Sequence, residues 1–379
     1  MDFRFNEEQE ELRDIARAFL AEQSSSEQVR SAMETELGFD PGLWEQLGAE
    51  LGWPSVQIPE AYGGLGLGYV ELAALLEIAG ENLLCAPFFS SACLGAGGLL
   101  AAGSEAQKSE YLPGIAEGQT RAALAHAGPS GGPGCHAVTL EAQREGGDFI
   151  LDGSHSFVVD GHSADLLIVA ARRPGSQGSE GIALFAVPGD APGLERTRLI
   201  TLDQTRRLAR LDFTGVRVPE TALLGGNDEA GGALEHALQL GAIGLAAEQV
   251  GGAQRCLDMS VAYALEREQF GRPIGSFQSI KHKCADMMVD VEAARSAAYY
   301  AACVAAEGSD ELPACAALAA VQCAEAYFRC AADAIQIHGG VGFTWEYDVH
   351  LHFKRAKAGE SLLGEPAYHR EFIAQQIGL

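Results

Sequence analysis

The stretch Arg267–His282 reads REQFGRPIGSFQSIKH and gathers Arg267, Arg272, Lys281 and His282 around a glycine-proline turn, with Phe270, Phe277 and Gln278 beside them. The chain that surrounds it carries 52 acidic and 26 basic residues, a formal net charge of -26. A local concentration of positive charge in so acidic a protein reads either as surface ion pairs at a helix end or as a pocket for an anionic ligand. The rest of the surface repels nucleic-acid phosphates and anionic membranes, so neither is an expected partner.

Outward from this stretch the hydrophobic period is helical. Alanine-rich helices are predicted over residues 232–267, 277–307, 311–337 and from 349 to the end. Further upstream, from Thr120 to about Leu224, the runs DFILDGSHSFVV, ADLLIVAAR, GIALFAV and ARLDFTGVRV are divided by Gly, Pro and Asp turns and read as strands. The first part of the chain is helical again. One helix is expected over Asn6–Leu20, with Asn6 as its cap and Glu7, Glu8 and Glu10 in the first turn, where the helix dipole favours them. A second starts at Asp40 and Pro41, and YVELAALLEIAGENLL forms a third. The reading is an α+β protein of three domains: N-terminal α-helical (1–119), middle β (120–228) and a C-terminal helical bundle (229–379). A length of 379 residues suits that division.

Several function classes are set aside by composition. Nine cysteines without a Cys-x-x-Cys spacing give neither a zinc site nor a disulfide framework, and read as small buried residues in a reducing compartment. His282, His338, His350 and His352 form no metal set, because positions two apart on a helix diverge and no Glu or Cys completes them. No apolar run of about 18 residues suggests a membrane span. The acidic amphipathic start MDFRFNEEQEELRDIARAFL lacks the basic-then-apolar order of a signal peptide, and the cytoplasm is the expected location. The glycine series IPEAYGGLGLG, Ile58–Gly68, lacks both a preceding parallel strand and the spacing of a dinucleotide fingerprint, and reads as a tight turn between helices.

IPEAYGGLGLG, REQFGRPIGSFQ and QIHGGVGFTWEYDV, in that order, resemble the acyl-CoA dehydrogenase family of flavoproteins. The resemblance implies a helical domain, a β domain and a four-helix-type C-terminal bundle. It also implies FAD as cofactor, an acyl-CoA substrate, an electron-transfer flavoprotein as electron acceptor, and a homotetramer or a heterotetramer with a second chain of the same fold. By resemblance Arg267, Phe270 and Gln278 reach the FAD of a neighbouring subunit, where a guanidinium pairs with pyrophosphate through parallel hydrogen bonds. Gln336, Gly339 and Gly340 meet the adenosine and pyrophosphate, glycine allowing close backbone approach. Phe157 takes the place of the family's tryptophan beside the flavin ring.

Other family positions are changed. The loop usually written Thr-Glu-Pro-Gly-x-Gly-Ser-Asp is matched by AHAGPSGGPGCH, and the threonine after the flavin-wall aromatic by Val159. The carboxylate that removes the α-proton while the β-hydrogen leaves as hydride is matched by Leu363 in one group of members and by Gly241 in another. Neither can accept a proton. Glu248, two helical turns beyond Gly241 and among apolar residues, is the candidate base, since a carboxylate there requires a task or a partner. A salt bridge that orders the bundle is the competing reading, and Glu360 and Glu365 flank the changed position. The expected function is FAD-dependent α,β-dehydrogenation of an acyl-CoA, bulky or steroid-derived. A non-catalytic partner subunit of a heteromeric enzyme, and a flavin oxidase or monooxygenase of the same fold, are the alternatives.

Overall fold

The computed structural model describes residues 6–226 and 229–379. The expected domain boundary at 228 and the first five residues of the N-terminal stretch lie outside the described residues.

The chain begins with helices α1 (Glu7–Gln23), α2 (Ser26–Glu34), α3 (Pro41–Glu45), α4 (Tyr69–Glu81), α5 (Ala96–Ala102) and α6 (Glu105–Ala116). Asn6 caps α1 in a reciprocal box, accepting from the Gln9 amide while the Gln9 side chain accepts from the Asn6 amide. The helix expected from Asp40 is cut short at Glu45 and widens into a π-helical turn over Gln46–Glu50. The cause is close backbone packing: a Cβ at Gly48 would lie 2.8 Å from the Gly118 Cα. The glycine series forms a turn, as its composition implies, and a Cβ at Gly64 would stand 1.9 Å from the Ile58 carbonyl oxygen.

The middle region is one seven-stranded sheet of β1 (Ala122–Ala125), β2 (Glu141–Glu145), β3 (Asp148–Val159), β4 (Leu166–Arg172), β5 (Ile182–Pro188), β6 (Leu194–Arg198) and β7 (Leu208–Pro219). Its order is β1-β4-β2-β3-β7-β6, with β5 also paired to β4. The long apolar runs appear where expected, β4 being buried throughout. β1, β2 and β6 were not legible as strands: they are short, and β2 and β6 are largely polar.

The C-terminal part holds α7 (Gly231–Glu266), a small hairpin of β8 (Glu268–Gln269) and β9 (Arg272–Pro273), α8 (Gln278–Glu307), α9 (Leu312–His338), α10 (Val349–Gly359) and α11 (Pro366–Gln376). The last expected helix is broken over residues 360–365, where Leu363 has φ 62° and Gly364 φ 120°. No described helix is long and apolar enough to cross a membrane.

α4 and α7 pack backbone to backbone. A Cβ at Gly80 would lie 1.9 Å from the Glu248 carbonyl oxygen, and one at Gly251 would lie 1.8 Å from that of Glu77. Glycine is required at both positions, because protein interiors leave no slack for an added carbon. This seam, joined by Leu72, Leu76, Ile243 and Val250, belongs to the largest apolar core. A second core fills the other face of the sheet, around Leu151, Leu167 and Phe185.

Candidate active site

A cleft of about 470 Å³ opens between the sheet, the end of the N-terminal helices and the 361–368 segment. Its aromatic wall is Phe157, made by a β-bulge. β3 pairs His155 with Leu211 and Val158 with Ala209, so Ser156 and Phe157 together oppose the single residue Arg210. Such bulges re-aim side chains. Phe157 adopts φ 60° and stays 47% exposed in a strand whose neighbours are buried. The Ala127 carbonyl pins the bulge by accepting from the Ser156 amide at 2.9 Å and facing His155 Nδ1 at 3.1 Å.

The opposite wall is Leu94, Leu362, Leu363 and Tyr368. The two positions at which the family places its carboxylate meet here in space. A Cβ at Gly241 would lie 3.2 Å from Leu363 Cδ1 and 2.6 Å from Leu94 Cδ2. The meeting point is therefore apolar. Leu363, like Phe157, is a non-glycine residue at positive φ, a conformation that costs about 1–3 kcal/mol and persists where surrounding structure holds it. His369 braces this turn through the backbone of Leu363 and Gly364, and burial keeps its pKa below the ordinary value. Among the described residues the cleft wall carries the ionisable side chains of His126, Glu365 and Tyr368.

Glu248 does not line this cleft, which corrects its expected position at the reacting centre. It is buried on α7 between two arginines. Arg206 donates from Nη2 to Oε2 at 2.5 Å, and Arg355 donates from Nε and Nη2 to Oε1 at 3.1 and 2.9 Å. Arg355 also donates to Thr205 Oγ1 at 2.7 Å and faces Asp203 at 3.8 Å. Burial pushes the Glu248 pKa upward, but the charges of Arg206 and Arg355 outweigh it and hold the carboxyl below its usual range. A carboxylate so held is a poor proton acceptor. The competing reading, a salt bridge that orders the core, is the one the geometry supports. Asp160 faces the same small cavity and behaves in the opposite way: burial raises its pKa to about 6 against the hydrogen bond from Ser90 and the charges of Arg206 and Arg355. Glu360 is engaged by Lys357 at 2.6 Å.

The remaining expected contacts lie on the outer surface. Arg267, Phe270, Gln278, Gln336, Gly339 and Gly340 are all exposed, and none lines the cleft. Two of their motifs are brought together: Tyr263, one turn before Arg267, stacks on His338, next to Gly339, with ring centroids 4.3 Å apart. In the turn that opens this stretch, Phe270 packs edge-on against Phe277, over which the Arg272 guanidinium sits at 4.1 Å. A Cβ at Gly339 or Gly340 would meet only open space, so this backbone is accessible from outside. His350 and His352 diverge, His352 Nδ1 facing the Tyr327 hydroxyl at 2.8 Å. No cluster of His, Cys, Asp or Glu able to hold a metal occurs among the described residues.

The chain belongs to the acyl-CoA dehydrogenase family, whose members are FAD-dependent flavoproteins acting on acyl-CoA. It matches "Acyl-CoA dehydrogenase, N-terminal domain" over residues 6–119 and "Acyl-CoA dehydrogenase, C-terminal domain" over 231–378. It is 34% identical to acyl-CoA dehydrogenase IpdE2 of Mycolicibacterium smegmatis over 95% of this chain and 96% of that protein. It is similar to butyryl-CoA dehydrogenase of Megasphaera elsdenii, with a TM-score of 0.92 at 28% identity and all of both chains covered. A chain of the ChsE4-ChsE5 complex of Mycobacterium tuberculosis superimposes with a TM-score of 0.89 at 30% identity, over 100% of this chain and 99% of that one. The cleft fits a flavin: Phe157 offers an aromatic face, and Gly131, at φ 69°, leaves that face uncovered where a Cβ would come within 3.2 Å of the ring.

Proposed function

We propose that this chain dehydrogenates, between Cα and Cβ, a CoA thioester whose acyl group is compact and apolar, branched or ring-containing, steroid-derived groups included. The observation that carries this reading is the apolar wall of Leu94, Leu362 and Leu363. The cleft wall holds no Arg or Lys among the described residues, so a second carboxylate on the acyl group would be buried without a partner.

FAD, when bound, accepts the hydride that leaves Cβ. Phe157 backs the ring, while Arg267, Phe270, Gln278, Gln336, Gly339 and Gly340 reach the FAD of a neighbouring subunit in a tetramer. Glu365, the carboxylate on the cleft wall, takes the α-proton, and Glu248 clamps the domains together. Electrons leave through an electron-transfer flavoprotein in the cytoplasm.

A second reading is favoured by the absence of a carboxylate at both 241 and 363: a heterotetramer in which an unlike chain supplies the base. The likeness to a chain from a complex of two differently named proteins is in line with it. One experiment separates these readings. The protein, purified alone and with a co-expressed second family member, is mixed anaerobically with butyryl-CoA, octanoyl-CoA and a bicyclic acyl-CoA while the visible flavin bands are followed. Bleaching fastest with the bicyclic thioester is expected, and slower by about 10²-fold or more in Glu365→Gln. Fastest bleaching with octanoyl-CoA would overturn the substrate reading. Unchanged bleaching in Glu365→Gln would move the base to the unlike chain, and oxygen consumption without an added acceptor would make the enzyme an oxidase.

A further inference from the structure

Away from the cleft, a second cavity of about 440 Å³ opens where α1 and α4 end and α2 and α10 begin, with α7 along its side. It shares no lining residue with the cleft. Ala21, Val29, Leu83 and Leu351 give it an apolar lining, and two nitrogen-bearing side chains on its wall have unused donors. Arg255, exposed on α7, makes no hydrogen bond or ion pair among the described residues. His352 is 2% exposed and turns Nδ1 to the Tyr327 hydroxyl, whereas its Nε2 has no hydrogen-bond partner among the described residues. Packing does not seal that nitrogen as it seals Nδ1 of His162, so Nε2 opens on the cavity that His352 lines.

Tyr327 decides where the imidazole proton sits. Its hydroxyl is buried, burial keeps it protonated, and His352 Nδ1 is its one hydrogen-bond partner among the described residues. A buried O–H donates where it can, so Nδ1 accepts and the ring proton is on Nε2. Burial, with the charges of Arg255 and Arg355, holds the His352 pKa at about 3, so the ring is neutral and offers the cavity one N–H. The carboxylates of the wall are engaged: Glu81 by Arg17, Asp348 by Arg30 and Ser26, and Asp258 by the Gln254 amide. Two helices start at the cavity and two end there, so their dipoles largely offset one another. An unpaired guanidinium and an N–H beside an apolar lining suit a single negative charge on an apolar body. A doubly charged phosphate would meet stronger repulsion from the three carboxylates. We propose that this cavity binds a small monocarboxylate, its charged end held by Arg255 and His352 Nε2 and its hydrocarbon body resting on Val29, Leu83 and Leu351.

The test is calorimetric titration of the full chain, with any unlike chain it requires, using cyclohexanecarboxylate, cyclohexanecarboxamide and inorganic phosphate. Wild type is expected to bind cyclohexanecarboxylate with a Kd of about 1 mM or tighter, and the uncharged amide at least about tenfold more weakly. Arg255→Gln is expected to weaken the carboxylate by about tenfold or more, as loss of a charge-assisted hydrogen bond implies. His352→Asn, which can still accept from Tyr327, is expected to weaken it by about three- to tenfold. Ala21→Trp, at an exposed position on the cavity wall, fills the space and is expected to abolish binding in a folded protein. Absence of saturable binding by wild type would overturn the inference, as would equal affinity in wild type and Arg255→Gln, or tighter binding of phosphate than of cyclohexanecarboxylate. None of the three residues lines the cleft, so flavin bleaching by an acyl-CoA is expected to persist in every variant, and the proposed function stands or falls separately.

Discussion

Gly241 and Glu248 stand two turns apart on one helix, and their surroundings have almost nothing in common. At Gly241 the neighbours are the apolar ends of Leu94 and Leu363, two residues that line the cleft. At Glu248 two guanidinium groups, a threonine and a second carboxylate surround the side chain. Shared helix face determines which way a side chain points; the segments packed against that face determine what it can do. Here the 199–207 loop and α10 bring the arginines, so a residue that reads as a base becomes a clamp joining the middle sheet to the bundle.

The largest test of this contrast is Arg355→Ala. It takes one of the two arginines from buried Glu248 and the guanidinium from Asp203, and a loss of about 3–5 kcal/mol is expected in chemical denaturation. Glu248→Gln should destabilise as well, yet leave flavin bleaching by substrate in the surviving folded protein close to wild type. A stable Glu248→Gln protein that fails to bleach would restore Glu248 as the base.

Asp160 sharpens the comparison through pH. Its folded pKa of about 6 lies above the unfolded value near 3.8. Its contribution to stability is therefore full below the unfolded value and lost as pH rises through about 6. Asp160→Asn is expected to be more stable than wild type by up to about 3 kcal/mol at pH 8, with the gap closing below about pH 4. Glu248 acts with the opposite sign: its stabilisation is present above the unfolded pKa and fades as pH falls through the lower folded value. Denaturation curves of both variants across that range would reveal the two slopes.

At the apolar end, Gly244→Ala adds a carbon 2.9 Å from Cys93 Sγ and 3.2 Å from Leu76 Cδ1. Both neighbours are side chains that can shift, so a cost of about 1–3 kcal/mol is expected, read as a lower denaturation midpoint. The smallest effect belongs to Phe270→Ala. At 92% exposure it should alter the stability of the isolated chain by less than about 0.5 kcal/mol, while flavin retention by the assembled protein falls. Unaltered retention would remove Phe270 from the cofactor contacts.

The order of helices, sheet and bundle was legible because it rests on long periodic segments, and α7, α8 and α9 lie within a residue or two of the expected bounds. The exposed motifs were legible because glycines and charges in loops stand out. What could not be read depends on contacts distant in sequence. The bulge that turns Phe157 outward needs β7, the meeting of Gly241 with Leu363 spans most of the bundle, and the clamp on Glu248 comes from residues 42 and 107 positions away. The arginines of TRR and KRAK were visible, but no local pattern pairs them with a glutamate on another helix.

The glycine seam between α4 and α7 has a consequence for how such an enzyme can change its substrate. Gly80 and Gly251 touch main chain, which has nowhere to retreat, so almost any replacement there is paid for in folding. The 360–365 turn, by contrast, joins two helices rather than lying inside one, and it meets the cleft with the side chains of Leu362 and Leu363. New acyl selectivity, whether reached by natural drift or by directed evolution, is open at Leu362 and Leu363 and closed along the seam.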